Sequence, residues 1–274
     1  MPGFRQRLPL ALAALLVLTQ CTASESRSDQ PPEKVSIQLM TSLPLVWGES
    51  ASMESILAGQ AEPAPIYRYW QQQYDMAAVD SLEHLAEENP DLVILAQPRA
   101  MDPADLADLD AWVRDGGRVI ILTDPDLLWP SALPLGDPRR PLVSGLLSPL
   151  LGHWGLELVA DTENSVEVVL LRLGGHAFAT RGVGMFEPVN SDAATGARCD
   201  LSEAGIVARC AIGQGRAVIV ADADFLNAAL WPEKARRSPQ ESGAVRFVDS
   251  LVQAQNDHGR GLCRGQPQTV RNRG

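Results

Sequence analysis

Apolar residues recur along this chain in two rhythms. VSIQLMTSL (35–43) and YDMAAVD (74–80) are short extended runs bounded by turn residues, and both predict strands. DLVILAQP (91–98) is continuously apolar, as strands buried on both faces are. DPADLADLDAWVRDGG (102–117) changes to the helical rhythm, with Leu106, Leu109, Trp112 and Val113 on one face. Asp102 suits its N-cap and Pro103 its first position, and Gly116 and Gly117 end it. RVIILTDP follows at once as another strand. Strand, helix and strand within some 35 residues predict a right-handed βαβ unit.

Elsewhere SMESILAG (52–59), LLSPLLGHWG (146–155) and SGAVRFVDSLVQAQ (242–255) read as helices. SLEHLAEEN (81–89) reads as a brief helix capped by Asp80, after a Pro-rich turn over the sixties. LELVAD, VEVVLLRL and HAFAT are strands without intervening helices, which predicts hairpins. GIVARCAIGQGRAVIVAD reads as two antiparallel strands turning at Gly213–Gly215. The fold class is therefore α/β, mostly parallel, with an antiparallel extension in the 156–220 region.

One line is written twice. GRVIILTDPDL (117–127) and GRAVIVADADF (215–225) share Gly117/Gly215, Arg118/Arg216, Ile121/Ile219, Asp124/Asp222 and Asp126/Asp224. Each copy predicts a buried strand ending in two acids. If the strands are neighbours, four carboxylates meet at the carboxyl edge, where open α/β sheets bind ligands. Such acids could hold a hard cation, or could simply cap the turns that follow. Trp47, Trp129 and Trp231 also follow strand ends, in LPLVWGE, PDLLWPS and NAALWPE. Three indoles on one rim would line a groove, or each would pack its own loop. The candidate ligand-binding set is thus Asp124, Asp126, Asp222, Asp224, Trp47, Trp129 and Trp231.

The amino terminus changes the setting. MPGFRQR carries two arginines and no acid, LPLALAALLVL is apolar for eleven residues, and TQCTAS is small and polar. This is the pattern of a secretory signal peptide, too short for a comfortable membrane span. Two outcomes compete: cleavage near Ala23, or lipidation of Cys21 in LTQC, a box with Gln20 at a position where a small residue is usual. The predicted organisation is a signal peptide at 1–20, a flexible tether at 21–34, one α/β domain at 35–256 and a disordered tail at 257–274. The chain is therefore expected to be exported to the periplasm, with Cys21 as the one candidate point of membrane attachment. Loss of residues 1–20 removes Arg5 and Arg7 and no acid, leaving 21 bases against 34 acids. That surface repels nucleic acid. In an oxidising compartment Cys199 and Cys210 are expected to pair. Cys263 is left over in the tail, free or cross-linking.

Catalytic signatures are sparse. The sequence has no G-x-S-x-G, H-E-x-x-H or Walker A pattern, and His84, His153, His176 and His258 are scattered. No cofactor is expected. DPRRP (137–141) offers two arginines to an anion or to solvent.

DLVILAQPRAMDPADLADLDAWVRDGGRVIILTDP (91–125) and GQGRAVIVADADFLNAAL (213–230) resemble segments of ABC-type uncharacterised transport-system proteins and gliding-motility-type ABC auxiliary proteins. The resemblance implies a doubly wound, flavodoxin-like fold related to the class I glutamine amidotransferases. It also implies a non-catalytic extracytoplasmic role beside ABC transporter permease subunits. The amidotransferase nucleophile, a cysteine in a Gly-flanked elbow, has no counterpart here. The expected function is an accessory or binding component of such a system. A metal-assisted hydrolase using the four acids and a structural envelope protein are the alternatives.

Overall fold

The computed structural model describes residues 34–49, 51–137, 139–160, 166–189 and 196–261. The expected signal peptide, Cys21, nearly all of the tether and Cys263 lie outside them. The first half runs β1 (Ser36–Thr41), α1 (Met53–Leu57), α2 (Pro65–Gln73), β2 (Asp75–Ala78), α3 (Leu85–Glu88) and β3 (Leu92–Ala96). The expected βαβ unit follows as α4 (Pro103–Arg114) and β4 (Arg118–Leu122), then α5 (Ser148–His153). After it come β5 (Leu156–Ala160), β6 (Val169–Leu173), β7 (His176–Thr180) and β8 (Gly184–Pro188). The chain continues through β9 (Arg198–Ser202), β10 (Val207–Ile212), β11 (Gly215–Val220), α6 (Glu233–Arg237) and α7 (Gly243–Gly261).

Seven strands form one sheet in the order β2-β1-β3-β4-β11-β10-β9. The first five are mutually parallel, and β10 and β9 add antiparallel neighbours. Two further antiparallel pairs, β5–β8 and β6–β7, stand apart from this sheet. The protein is thus α/β with a mostly parallel sheet and an antiparallel extension. Side chains of β3 alternate between two cores, as a strand covered on both faces requires. Leu92 and Ile94 pack with Trp70 of α2 and Val245, Val248 and Val252 of α7. Val93 and Leu95 pack with Leu109 and Val113 of α4 and Leu150 and Leu151 of α5.

The repeated line is one role built twice, side by side. β4 and β11 pair in parallel with Arg118 opposite Arg216 and Ile121 opposite Ile219. A Cβ on Gly117 would lie 2.4 Å from the Trp112 ring, and one on Gly215 would lie 2.0 Å from the Val113 carbonyl. Only glycine admits the end of α4 so close to both strands. The two arginines then reach the same residue of α7: Arg118 Nη1 donates to the Gln255 carbonyl at 3.0 Å, and Arg216 Nη2 to that carbonyl at 2.6 Å.

Several sequence expectations need correction. The Pro-rich turn over the sixties contains helix α2, whose Ile66, Tyr67 and Trp70 are buried. The 81–89 segment is helical only over Leu85–Glu88, with His84 rather than Asp80 at its cap. The last helix passes residue 256 to Gly261.

Cys199 and Cys210 form a disulfide between paired positions of β9 and β10. It closes a loop of 11 residues' separation on the edge strand. Its reduction is expected to cost about 3 kcal/mol by loop entropy. A lower denaturant midpoint in dithiothreitol, matched by the C199S/C210S variant without reductant, checks this.

Candidate functional site

β4 and β11 end together, so the four acids of the repeated line do converge. They converge inward. Asp124 and Asp222 have no exposed surface and Asp224 is 1% exposed; only Asp126 faces solvent. The first acid of each copy turns its own chain: Asp124 Oδ1 accepts from Asp126 N–H and Asp222 Oδ1 from Asp224 N–H, at 2.8 and 2.9 Å. Each copy also holds the other's loop. Asp124 Oδ2 accepts from Ala223 N–H at 3.5 Å, and Asp224 Oδ2 from Leu128 N–H at 2.7 Å. The Thr180 hydroxyl, at the end of β7, donates to Asp222 Oδ1 at 2.9 Å.

Burial disfavours the charged forms. It raises the proton affinity of Asp124, helped by the charge of Asp222. Burial likewise raises Asp222, with the Thr180 hydroxyl opposing. Asp224 is pushed up to about 6 by burial, against the Leu128 N–H and the Arg181 charge. Among the described residues, no three of His, Cys, Asp or Glu are grouped as a metal site needs.

The three tryptophans do not share a groove. Trp129 is 8% exposed, and its indole N–H donates to Glu49 at 2.7 Å. Trp231 is buried, its N–H donating to the Phe225 carbonyl at 2.8 Å. Trp47 alone stays open, at 52% exposure. In the DPRRP segment Arg139 clamps Asp137 through both oxygens, at 3.1 and 2.8 Å, which holds that carboxyl down to about 2. Arg140 donates to the Leu133 carbonyl at 2.6 Å.

The open space lies along the same carboxyl edge, beside β1, β2 and β3. A chamber of about 600 Å³ is walled by Leu43, Val46, Trp47 and Ile56, by Val79 at the end of β2, and by Leu133. A second, of about 480 Å³, runs along Met101, Asp102 and Asp105 at the start of α4. The two share Thr41, Asp80 and Arg99. Their size and mixed lining suit a small ligand.

Ser42, in the wall of the larger chamber, is held by a residue that local pattern does not single out. Gln97 is fully buried with φ of 44°. Its amide nitrogen donates to the carbonyls of Asp124 and Leu142, both at 3.1 Å, and its Oε1 accepts from Asp124 N–H at 2.8 Å. Its own carbonyl accepts from the Ser42 N–H and hydroxyl. One side chain and its backbone thus tie together the ends of β1, β3 and β4. The available signal was a lone amide closing an apolar run.

The sequence pattern of one family, described as ABC-type uncharacterized transport system, matches residues 34–175. No curated protein matches the chain. Among solved structures, a GH42 β-galactosidase of G. stearothermophilus, Gan42B, is 13% identical with a TM-score of 0.39; the match covers 70% of this chain and 27% of that one. The exo-β-1,4-mannosidase Op5Man5 of Opitutaceae bacterium strain TAV5 is 12% identical with a TM-score of 0.44, covering 80% of this chain and 36% of that one. A cytoplasmic protein of Salmonella typhimurium is 8% identical with a TM-score of 0.44, covering 79% and 98%. The chain spans about a third or less of the two glycosidases' length.

Proposed function

Because the chain belongs to the family described as ABC-type uncharacterized transport system, we propose that it works outside the cytoplasm as a non-catalytic binding component of such a system. The role we assign within such a system is that of an auxiliary component. The observation that carries the binding role is the chamber at the carboxyl edge, with its half-exposed Trp47. We read the parallel strands, in the order β2-β1-β3-β4-β11, as a doubly wound, flavodoxin-like arrangement. In that arrangement ligands settle outside the strand ends where the order reverses, between β1 and β3. Thr41, which ends β1, and Arg99, just beyond β3, both line the chamber.

The disulfide supports an oxidising compartment. The basic and apolar start of the sequence supports export, with Cys21 as the proposed lipid anchor. Among the described residues no helix is long and apolar enough to cross a membrane, so attachment is assigned to that anchor or to a partner. The acid cluster supports binding over hydrolysis, because Asp124 and Asp222 present no surface to a substrate. Cys199 and Cys210 are joined to each other, so neither is a free thiol nucleophile, which supports a domain without amidotransferase chemistry.

The test is capture from native membranes with the full-length tagged chain after cross-linking. Recovery of an ABC permease or ATPase subunit, identified by mass spectrometry, is the expected result. Reproducible recovery of none overturns the transport role.

A further inference from the structure

We propose that the carboxyl-edge crevice takes a small amphipathic zwitterion, an apolar α-amino acid or short apolar peptide. This rests on the binding reading above and adds the chemistry of the ligand. The larger chamber is apolar on most of its wall, through Leu43, Val46, Trp47, Ile56 and Leu133. At the boundary between the two chambers stand one cation and one anion, Arg99 and Asp80. Among the described residues neither has an ion-pair or side-chain hydrogen-bond partner. The other charges that line the larger chamber, Arg139 and Glu49, are already engaged, and along the second chamber Asp108 alone also lacks a side-chain partner among the described residues. Arg139 is clamped by Asp137, Glu49 accepts from Trp129, Asp102 accepts from Ala104 N–H, and Asp105 accepts from Ser81.

That leaves two unengaged opposite charges at the mouth of an apolar chamber. A neutral apolar ligand would desolvate both without pairing either, which is unfavourable. An apolar anion would answer Arg99 and repel Asp80, and an apolar cation would do the reverse. A ligand carrying both charges a few bonds apart, with an apolar body, answers all three features. Its carboxylate can meet the guanidinium fork bidentately. Its ammonium can meet Asp80 on the side of the second chamber, where Glu83 and Asp108 add negative potential. Its side chain then lies against Trp47.

Trp47 supplies the readout. The other five tryptophans are at most 8% exposed, so acrylamide quenching of the indole emission reports mainly on Trp47. The full-length chain is titrated with leucine, dileucine, leucinamide, N-acetyl-leucine and decanoate. Leucine or dileucine is expected to shield Trp47 from acrylamide, and the tighter of the two identifies free amino acid or peptide as the source. Leucinamide and N-acetyl-leucine should each bind at least tenfold more weakly. Arg99→Gln should erase the discrimination against leucinamide, and Asp80→Asn that against N-acetyl-leucine; both side chains are exposed, and unchanged melting curves confirm folding. Equal shielding by the blocked compounds, discrimination that survives the substitutions, or shielding by none of the probes overturns the proposal. Shielding by decanoate alone overturns the ligand class and leaves the binding reading standing. Transporter capture tests that reading separately, with no ligand added.

Discussion

Replacing Gln97 with alanine is expected to lower folding stability by about 3–4 kcal/mol, from the unsatisfied groups it leaves buried. The substitution strips the Asp124 N–H and the Leu142 carbonyl of their side-chain partner and removes one of two donors to the Asp124 carbonyl. Gln97 and Asp124 are both fully buried, so the Asp124 N–H loses its partner away from bulk water, while the half-buried Leu142 carbonyl loses less. Alanine also keeps the left-handed φ of 44°, which is unfavourable for any residue with a side chain and worse just before a proline. The bonds that offset that conformation vanish while the conformation stays. Gln97→Glu should be nearly as damaging, since its carboxylate would face two carbonyl oxygens instead of donating to them. Urea unfolding of the three proteins checks this. A loss below 1 kcal/mol in the alanine variant would mean that the network does not hold the edge together. Since Ser42 bonds to the Gln97 carbonyl and Leu142 N–H to Ser42 Oγ, the same substitution should loosen the crevice wall and speed acrylamide quenching of Trp47.

What could be read from sequence was what local pattern determines. β3, α4 and β4 were legible because an unbroken apolar run, a helical stripe and Pro/Gly punctuation agree there. The pairing of β4 with β11 was legible because identical residues recur in step, and the structure places those identical residues opposite one another. Helix α2 was not. PIYRYWQQQ has three aromatics and sits behind prolines, and its helix is fixed by distant contacts. Trp70 sinks into the core, and Tyr69 and Tyr74 both donate to Asp249 of α7 at 3.0 Å.

The candidate site shows the same division. Local pattern places the acids just past the ends of β4 and β11 and leaves open whether they and the indoles face a ligand or pack inward; the structure turns all but Asp126 and Trp47 inward. Asp124 and Asp224 are closed off because each accepts a bond from the loop of the other copy, and Asp222 because β7 brings Thr180 to it from 42 residues away. Trp129 is turned in by Glu49, from 80 residues away. Conversely, the sequence pattern predicts Asp80 as a cap, whereas it is exposed at the crevice because helix α3 begins only at Leu85. None of these long-range partners leaves a local trace.

Stability of this protein is expected to fall as pH rises from about 4.5 to 8.5, by roughly 3 kcal/mol or more. An unfolded aspartate gives up its proton near 3.8, while burial raises all three enclosed acids of the folded chain, Asp224 to about 6 and Asp124 and Asp222 in the same direction. Above 3.8, then, the unfolded chain binds fewer protons than the folded one, and stability has a negative slope with pH. The contribution is complete below 3.8, shrinks through 6 as Asp224 ionises, and goes on shrinking as the Asp124–Asp222 pair follows. A shift of one pKa unit corresponds to about 1.4 kcal/mol, which sets the scale. Asp222→Asn is the diagnostic variant. Its amide oxygen can still accept from Thr180 and from Asp224 N–H, and its NH₂ takes the place of Oδ2, which has no partner among the described residues. The substitution removes the charge that raises Asp124 and leaves the turn intact. Asp222→Asn should therefore be more stable than the wild type at pH 8.5 by about 1–3 kcal/mol, no more stable at pH 4.5, and flatter between. Urea titrations at several pH values decide it. Two curves that run parallel would show that the pair is ionised in the folded protein throughout, and that the acids at the end of the repeated line are held by their N–H partners alone.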